Sequence, residues 1–336
     1  MAADRDLAVA VARAIFDRPP VPRSGWEMTA ATGVRGLRIL VESGSFTSFT
    51  FTESSPEAFA VLRENVARVP GAAAVQADAR TWTPPTAFDY VDLDPYGSPI
   101  PFVRSALSGV GPNGVLAVTA TDMMVLAGAQ PKACAARYGA RPVRGRLGPE
   151  GGLRILLAFL AREAAARDRS VRPLLAYARD HYVRVYLELG PPSGRDPPVG
   201  TIDPATWDGP RVGDRGPYGP LWLGPLFDPD VVGRLTVPEG AARPREVDQF
   251  ICRVREEVTV DRPFYYEANV LAAQLALGEP PSLAAIAEGL RSIGFRSART
   301  HARPEGFRTD APRETVEQLV RRLGSGAHSQ NARVRA

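Results

Sequence analysis

The stretch Asp92-Leu93-Asp94-Pro95-Tyr96-Gly97-Ser98-Pro99 sets a carboxylate, a proline and an aromatic ring side by side. Phe88 to Leu93 reads as a short buried strand, apolar or aromatic at every second place, which leaves Asp94 at its C-terminal edge. Pro95 fixes φ and lacks an N–H, so the chain turns there. Gly97 lets a ligand approach the backbone closely. A carboxylate accepts N–H bonds and a flat ring stacks, so the set suits a planar, amine-bearing substrate. A strand running into a type I turn would use the same Asp-Pro pair. The elements upstream decide between the two.

Three further polar features close apolar strands, in chain order. Trp26 to Thr29 is a strand, followed by the small-residue turn Ala30-Ala31-Thr32-Gly33-Val34-Arg35-Gly36 and a helix over Leu37 to Glu42. Such a turn offers backbone N–H groups to a ligand. Ser48 to Thr52 is a second strand ending at Glu53, where an acid about 20 residues past a glycine turn holds a ribose diol. Ala72 to Gln76 is a third, followed by Asp78, an acid placed to accept from the exocyclic amine of an adenine. Helices over Pro56 to Val66 and Pro101 to Leu107 and a strand over Gly114 to Thr121 complete the alternation of a parallel, doubly wound sheet. Ligands bind such sheets at the carboxyl ends of the strands. Any one of these acids would serve as a helix cap. The ordered set of turn, Glu53, Asp78 and Asp94 is the pattern of an S-adenosylmethionine-dependent methyltransferase, and the G-x-G-x-x-G of a nicotinamide enzyme is absent.

At 336 residues the chain is long enough for two domains, and its 44% hydrophobic and 23% charged content is globular. No run approaches the ~18 apolar residues of a membrane span. The first residues, with Asp4, Arg5 and Asp6, lack the order of a signal peptide, so a cytoplasmic protein is expected. Cys134 and Cys252 exclude a disulfide framework and a cysteine-rich zinc site, and the three histidines are dispersed, so no metal is expected. The charge is +4 and Lys132 is the only lysine among 41 basic residues. Arginine suits phosphate binding, being planar and bidentate.

Leu7 to Phe16 reads as an Ala/Val-rich helix with Asp4 and Asp6 as candidate caps, and Arg18 to Pro22 as a proline-rich loop. From about Asp228 the character changes. Arg245 to Glu257 and Pro263 to Leu277 read as helices, and Ser282 caps a third over Leu283 to Ile293, closed by Gly294. Phe295 to Thr300 and Gly306 to Thr309 then pair as a hairpin. A helix followed by a two-stranded wing is a nucleic-acid-binding arrangement, and Arg291, Arg296, Arg299, Arg303 and Arg308 are its candidate RNA contacts. Gly324 to Ala336 is expected as a disordered tail.

The run Asp92 to Pro99 resembles the catalytic motif of the tRNA (guanine-26, N2) dimethyltransferases. The likeness extends along the chain: Arg5-Asp6-Leu7 is similar to an N-terminal family motif, Thr32 to Arg38 to its glycine turn, and Val118-Thr119-Ala120-Thr121-Asp122 to the segment after the fifth strand. Asp180 to Arg184, Gly219 to Leu226, Arg299-Thr300-His301 and Arg308-Thr309-Asp310-Ala311-Pro312 resemble later family segments that generic methyltransferases lack. The resemblance implies a class I, Rossmann-like methyltransferase domain over 1–227, a smaller α+β, winged-helix-like tRNA-binding domain over 228–323, and a monomeric enzyme acting on tRNA. It implies S-adenosylmethionine contacts at Arg5, Arg35, Glu53, Asp78 and Ala79. It places the guanine amine at Asp94 and the Pro95 carbonyl, with Tyr96 stacked on the base. Relatives often carry a cysteine cluster between the domains; here Gly190 to Pro220 is a Pro/Gly-rich loop around Trp207. Two other readings stay open: a methyltransferase of another nucleic-acid amine, such as an rRNA guanine or an adenine, and an RNA-binding homologue without catalysis.

Overall fold

Short β-rich runs separated by amphipathic segments collapse onto one sheet because parallel strands are buried on both faces. The computed structural model describes residues 2–17, 22–213 and 216–334, with side chains described up to residue 324. The first elements are α1 (Ala2–Ile15), β1 (Ser24–Glu27), α2 (Val34–Glu42), β2 (Ser48–Glu53), α3 (Pro56–Val66), β3 (Ala72–Gln76), β4 (Phe88–Leu93), α4 (Ile100–Gly109) and β5 (Val110–Ala120). Then come α5 (Met123–Leu126), α6 (Pro131–Tyr138), α7 (Gly148–Ala165), β6 (Ser170–Arg179) and β7 (Tyr182–Gly190). The sheet order is β3-β2-β1-β4-β5-β7-β6. Its first five strands run parallel, and β7 and β6 add antiparallel partners. This is the expected Rossmann-like methyltransferase architecture. Phe49 and Phe51, Tyr90 to Leu93 and Leu116 to Val118 fill the interior.

Local signals fix the boundaries. Ser55 caps α3 by accepting from the Ala58 N–H, with Pro56 at the first helical position. Asp4 and Asp6 are not caps, because α1 already begins at Ala2. Asp6 accepts from Arg38 at 2.6 Å and from the Arg243 N–H at 2.9 Å, and Asp4 accepts from the Tyr182 hydroxyl. The proline-rich loop falls on residues 18–21, which lie outside the described set.

Beyond β7 the chain forms the hairpin β8 (Val199–Ile202) and β9 (Tyr218–Trp222), then α8 (Pro229–Arg234) and α9 (Pro244–Glu257). The 190–220 stretch is held by Trp207, whose indole donates to the Pro210 carbonyl, and by Arg313, which donates to the Gly209 and Trp207 carbonyls. The remaining elements are β10 (Tyr266–Glu267), α10 (Ala268–Gln274), α11 (Leu283–Ser292), β11 (Ser297–Arg299), β12 (Gly306–Thr309) and α12 (Arg313–Val334). The sheet order β10-β12-β11 contains the expected hairpin. Ser282 caps α11, and Gly294 follows it at φ 89°.

One expectation differs from the structure here. The helix expected over Pro263 to Leu277 starts only at Ala268: Phe264 sits at φ 63°, which a helix excludes, and Tyr266 pairs with Phe307 instead. Val231, Val247, Ile251 and Val254 of α8 and α9 join the main core, and a second core of Tyr266, Leu271, Ile286, Leu290, Phe307 and Val316 begins after Tyr265. α1 is buried on nearly all sides and needs α9 as its outer cover, which draws that helix away from the second core. The α12 backbone remains helical through Val334, across most of the stretch expected as a tail, with residues 335–336 outside the described set.

Candidate active site

The carboxyl ends of β3, β2, β1, β4 and β5 lie side by side and carry, in that spatial order, Asp78, Glu53, the glycine turn, Asp94 and Thr121. Backbone bonds lock their register: Ala77 N donates to Glu53 O, Ala30 N to Thr52 O, and Met28 N to Asp92 O. Gly33 opens the α2 turn at φ 74°, a conformation disfavoured for residues with a Cβ. Glu53 accepts from the Ala31 N–H at 2.8 Å and the Ser55 N–H at 2.9 Å, which pins its carboxylate against that turn. Asp78 is engaged by the Arg80 side chain, whose Nε lies 2.9 Å from Oδ1; Ala79 beside it is buried. Arg5 projects from α1 half-buried and has no hydrogen bond or ion pair among the described residues.

Asp94 forms an ion pair through Oδ2 with the Arg35 guanidinium, while Oδ1 has no protein partner among the described residues. The Asp94 side chain is 26% exposed. Pro95 is buried behind it and the Tyr96 ring stands wholly in solvent. The turn is held open by Gly97 at φ 77°, whose N–H donates to Thr121 Oγ1 at 2.7 Å and whose carbonyl accepts from the Thr121 N–H at 2.9 Å. Ser98 Oγ lies 3.0 Å from the Tyr138 hydroxyl, which donates to Asp122 at 2.9 Å. The loop is therefore clamped from β5 and α6, and its acid and aromatic face outward together.

Beneath Asp94 lies a buried charge network that sequence reasoning left without a role. Asp92 is 1% exposed and accepts from Arg184 at 2.7 Å and from the Tyr90 hydroxyl at 2.7 Å. Arg184 reaches across β5, donating on the way to Thr119 Oγ1 at 2.6 Å. Arg35 lies 3.4 Å from Asp92 and so spans both aspartates. Burial raises the Asp92 carboxyl, but Arg184 and Arg35 outweigh it and hold it below its ordinary value. Glu27, opposite Asp92 in the β1–β4 register, is the third acid against two cations. Burial and the Asp92 charge push it up to about 8, so it holds a proton at neutral pH and accepts from the Gly36 N–H at 3.1 Å. A charged residue at an inward strand position needs a partner, and Asp92 and Arg184 are such residues.

The expected RNA contacts divide. Arg291, Arg296, Arg299 and Arg303 are exposed, Arg296 being paired with Asp310 at 2.8 Å. Arg308 is a correction: it is 2% exposed, too deeply buried to meet RNA. It donates to Glu150 at 2.8 Å, to Glu257, and to the Phe264 carbonyl at 2.9 Å. Glu257 also accepts from Thr300 at 2.8 Å and lies 2.7 Å from His301 Nδ1, and Arg154 joins Glu150 to the Trp222 carbonyl at 2.8 Å. Burial would raise Glu257, but His301 and Arg308 hold it far below the usual carboxylate range. The late motifs thus meet in one buried ion cluster tying α7, α9 and β9 to the hairpin.

Two buried polar atoms without a protein partner among the described residues, Thr29 Oγ1 and Arg35 Nε, lie at the β1–α2 turn and in the first turn of α2. Unsatisfied groups there fit a polar ligand seated on the turn. Among the described residues no group of three or more His, Cys, Asp or Glu side chains is placed to hold a metal, and no helix is long and apolar enough to cross a membrane.

Residues 1–193 and 212–321 match the sequence model of the family described as N2,N2-dimethylguanosine tRNA methyltransferase. The chain is 33% identical to the tRNA (guanine(26)-N(2))-dimethyltransferase of Thermococcus kodakarensis, over 96% of this chain and 92% of that one. It is 35% identical to the protein of the same name from Methanoregula boonei, over 89% of this chain and 85% of that one. Among solved structures it is similar to Trm1 from Pyrococcus horikoshii in complex with S-adenosyl-L-methionine, with a TM-score of 0.83, 30% identity, and 95% and 93% of the two chains covered.

Proposed function

We infer the reaction from kinship and site together: the chain belongs to the N2,N2-dimethylguanosine tRNA methyltransferase family, and it transfers one or two methyl groups from S-adenosylmethionine to the exocyclic N2 of guanine 26 in tRNA. Bound S-adenosylmethionine supplies the methyl group on a sulfonium that leaves as a neutral thioether. The residues at the strand ends suit its binding. Glu53, pinned by two backbone N–H groups, keeps lone pairs for a ribose diol, and Asp78 with Ala79 closes the adenine end. Among the described residues Arg35 Nε and Thr29 Oγ1 are unsatisfied and Arg5 on α1 has no acidic partner, which leaves it for the cofactor's carboxylate.

The observation that carries the catalytic assignment is Asp94, with one oxygen held by Arg35 and the other free, beside a solvent-facing Tyr96. The guanine amine is a weak nucleophile because its lone pair is delocalised into the ring. Asp94 Oδ1 and the Pro95 carbonyl accept its N–H bonds and orient the nitrogen toward the cofactor turn, while Tyr96 stacks on the base. Asp94 is also the group to which the displaced proton goes, with positioning its larger contribution. We assign 1–227 to catalysis and 228–323 to tRNA, the first two helices of the latter packing on the catalytic core, with Arg291, Arg296, Arg299 and Arg303 as backbone contacts, in a cytoplasmic monomer. Asp94→Ala should abolish turnover and leave tRNA and S-adenosylmethionine binding within a few-fold; loss of both affinities would make Asp94 a structural residue instead.

A further inference from the structure

Between Pro95 and Pro149 the only acid is Asp122, while Arg104, Lys132, Arg137, Arg141, Arg144 and Arg146 supply cations. Asp122 does not offset them at the surface: its side chain is 7% exposed and is taken up by Tyr138 and, at 3.6 Å, by Arg137. Lys132, Arg137, Arg141, Arg144 and Arg146 are all exposed, and the segment that carries them is anchored at its middle and at its C-terminal end. In the middle, Tyr138 bonds Ser98 in the loop that bears Asp94 and Tyr96. Three residues on, Arg141 pairs with Gly219 through two 2.8 Å backbone bonds. At the C-terminal end, the Arg146 carbonyl accepts from the Tyr265 hydroxyl at 2.9 Å and its guanidinium lies 2.6 Å from Glu267. The Tyr265 hydroxyl also meets Arg303 of the hairpin turn.

The segment ends at a groove of roughly 200 Å³ between the two cores, lined by Arg144, Arg146, Arg211 and Tyr266 together with Glu267 and Glu317, which pair with Arg146 and Arg211 and leave Arg144 unpaired among the described residues. The Tyr266 hydroxyl is buried and has no hydrogen-bond partner among the described residues. Lys132 and Arg144 likewise have no polar partner among the described residues, although the Arg144 stem packs against Gly128 just past α5. Unpaired charges on a segment bonded to the loop that carries an exposed aromatic suit a polyanion whose one base stacks on that ring.

We propose that residues Lys132 to Arg146 form the track for the tRNA phosphodiester backbone, leading from the base-stacking loop at Tyr96 to the Tyr266 groove, where Arg303 continues it. This rests on the tRNA-modifying reading and adds where the RNA lies. The contacts set affinity and salt dependence and leave the choice of base to the Asp94 loop.

The test is tRNA binding as a function of salt, with S-adenosylmethionine binding measured on the same samples. Lys132→Gln with Arg144→Gln should lower the salt slope by about two, shrinking the affinity span between about 50 and about 200 mM salt roughly tenfold. Arg63→Gln with Arg68→Gln, two exposed charges outside this basic stretch, should leave the slope unchanged. Lys132→Arg with Arg144→Lys should restore it, because phosphate contact needs the charge. S-adenosylmethionine binding should be unchanged in all. A Lys132/Arg144 Gln variant that matches the wild type in slope and affinity overturns the track. A wild type that binds S-adenosylmethionine but no tRNA overturns the functional reading, and the track with it.

Discussion

Arg35 serves two carboxylates at different depths. Its guanidinium joins buried Asp92 to the half-buried Asp94, so the position of the candidate catalytic acid is set from below by the Asp92–Arg184 pair. Breaking a buried pair leaves one charge uncompensated, so Arg184→Met should lower unfolding stability by about 3–5 kcal/mol in urea denaturation. A loss under about 1 kcal/mol would mean that the pair is dispensable. Glu27 gives a pH signature with a definite sign. Its folded value of about 8 lies above the ordinary 4.5, so the folded state binds the extra proton between those values. Its contribution is complete below about pH 4.5 and is lost as pH rises through about 8, with a slope of at most about 1.4 kcal/mol per unit. Glu27→Gln should flatten stability across that window; a slope that persists would assign it to another group. Asp94, Glu53 and Asp78 were legible in the sequence because each closes a recognisable apolar strand. Asp92 and Arg184 were not, since they lie 92 positions apart and nothing local pairs them.

At the scale of elements, strands and capped helices were readable wherever side-chain periodicity and capping agree, as in α3 and α11. They were unreadable where a long-range partner decides: β10 exists because β12 offers Tyr266 and Glu267 a ladder, against the helical pattern around them. Arg308 was misread for the same reason. In an arginine-rich basic stretch it looks like its neighbours, yet Glu150 and Glu257, 158 and 51 positions away, bury it. Burial lowers the guanidinium, but these acids outweigh it and keep it charged. Arg308→Met should destabilise the fold by about 3–5 kcal/mol, and Arg308→Lys should not recover it, because a lysine cannot serve both carboxylates and the Phe264 carbonyl with one fork. Full stability in the lysine variant would show that charge alone suffices. The ion cluster gives the late motifs an architectural duty: they seat the hairpin, and Arg303 with it, beside the catalytic sheet.

The whole molecule combines a cofactor edge, an outward-facing acid and aromatic, and a basic surface running away from them. The first two were visible in the order of strands and acids. The third emerged only with the fold, because Lys132 to Arg146 looks like ordinary arginine-rich sequence until its contacts with the strand-end loop and the Tyr266 groove are seen. The central claim is that this arrangement methylates guanine 26 of tRNA, and labelled S-adenosylmethionine tests it directly. Two unmodified transcripts are compared, one with guanine and one with adenine at position 26. Label should appear on the guanine transcript alone, recovered as N2-methylated or N2,N2-dimethylated guanosine. Equal label on both transcripts, or none on the guanine transcript despite measured binding of cofactor and tRNA, would contradict it.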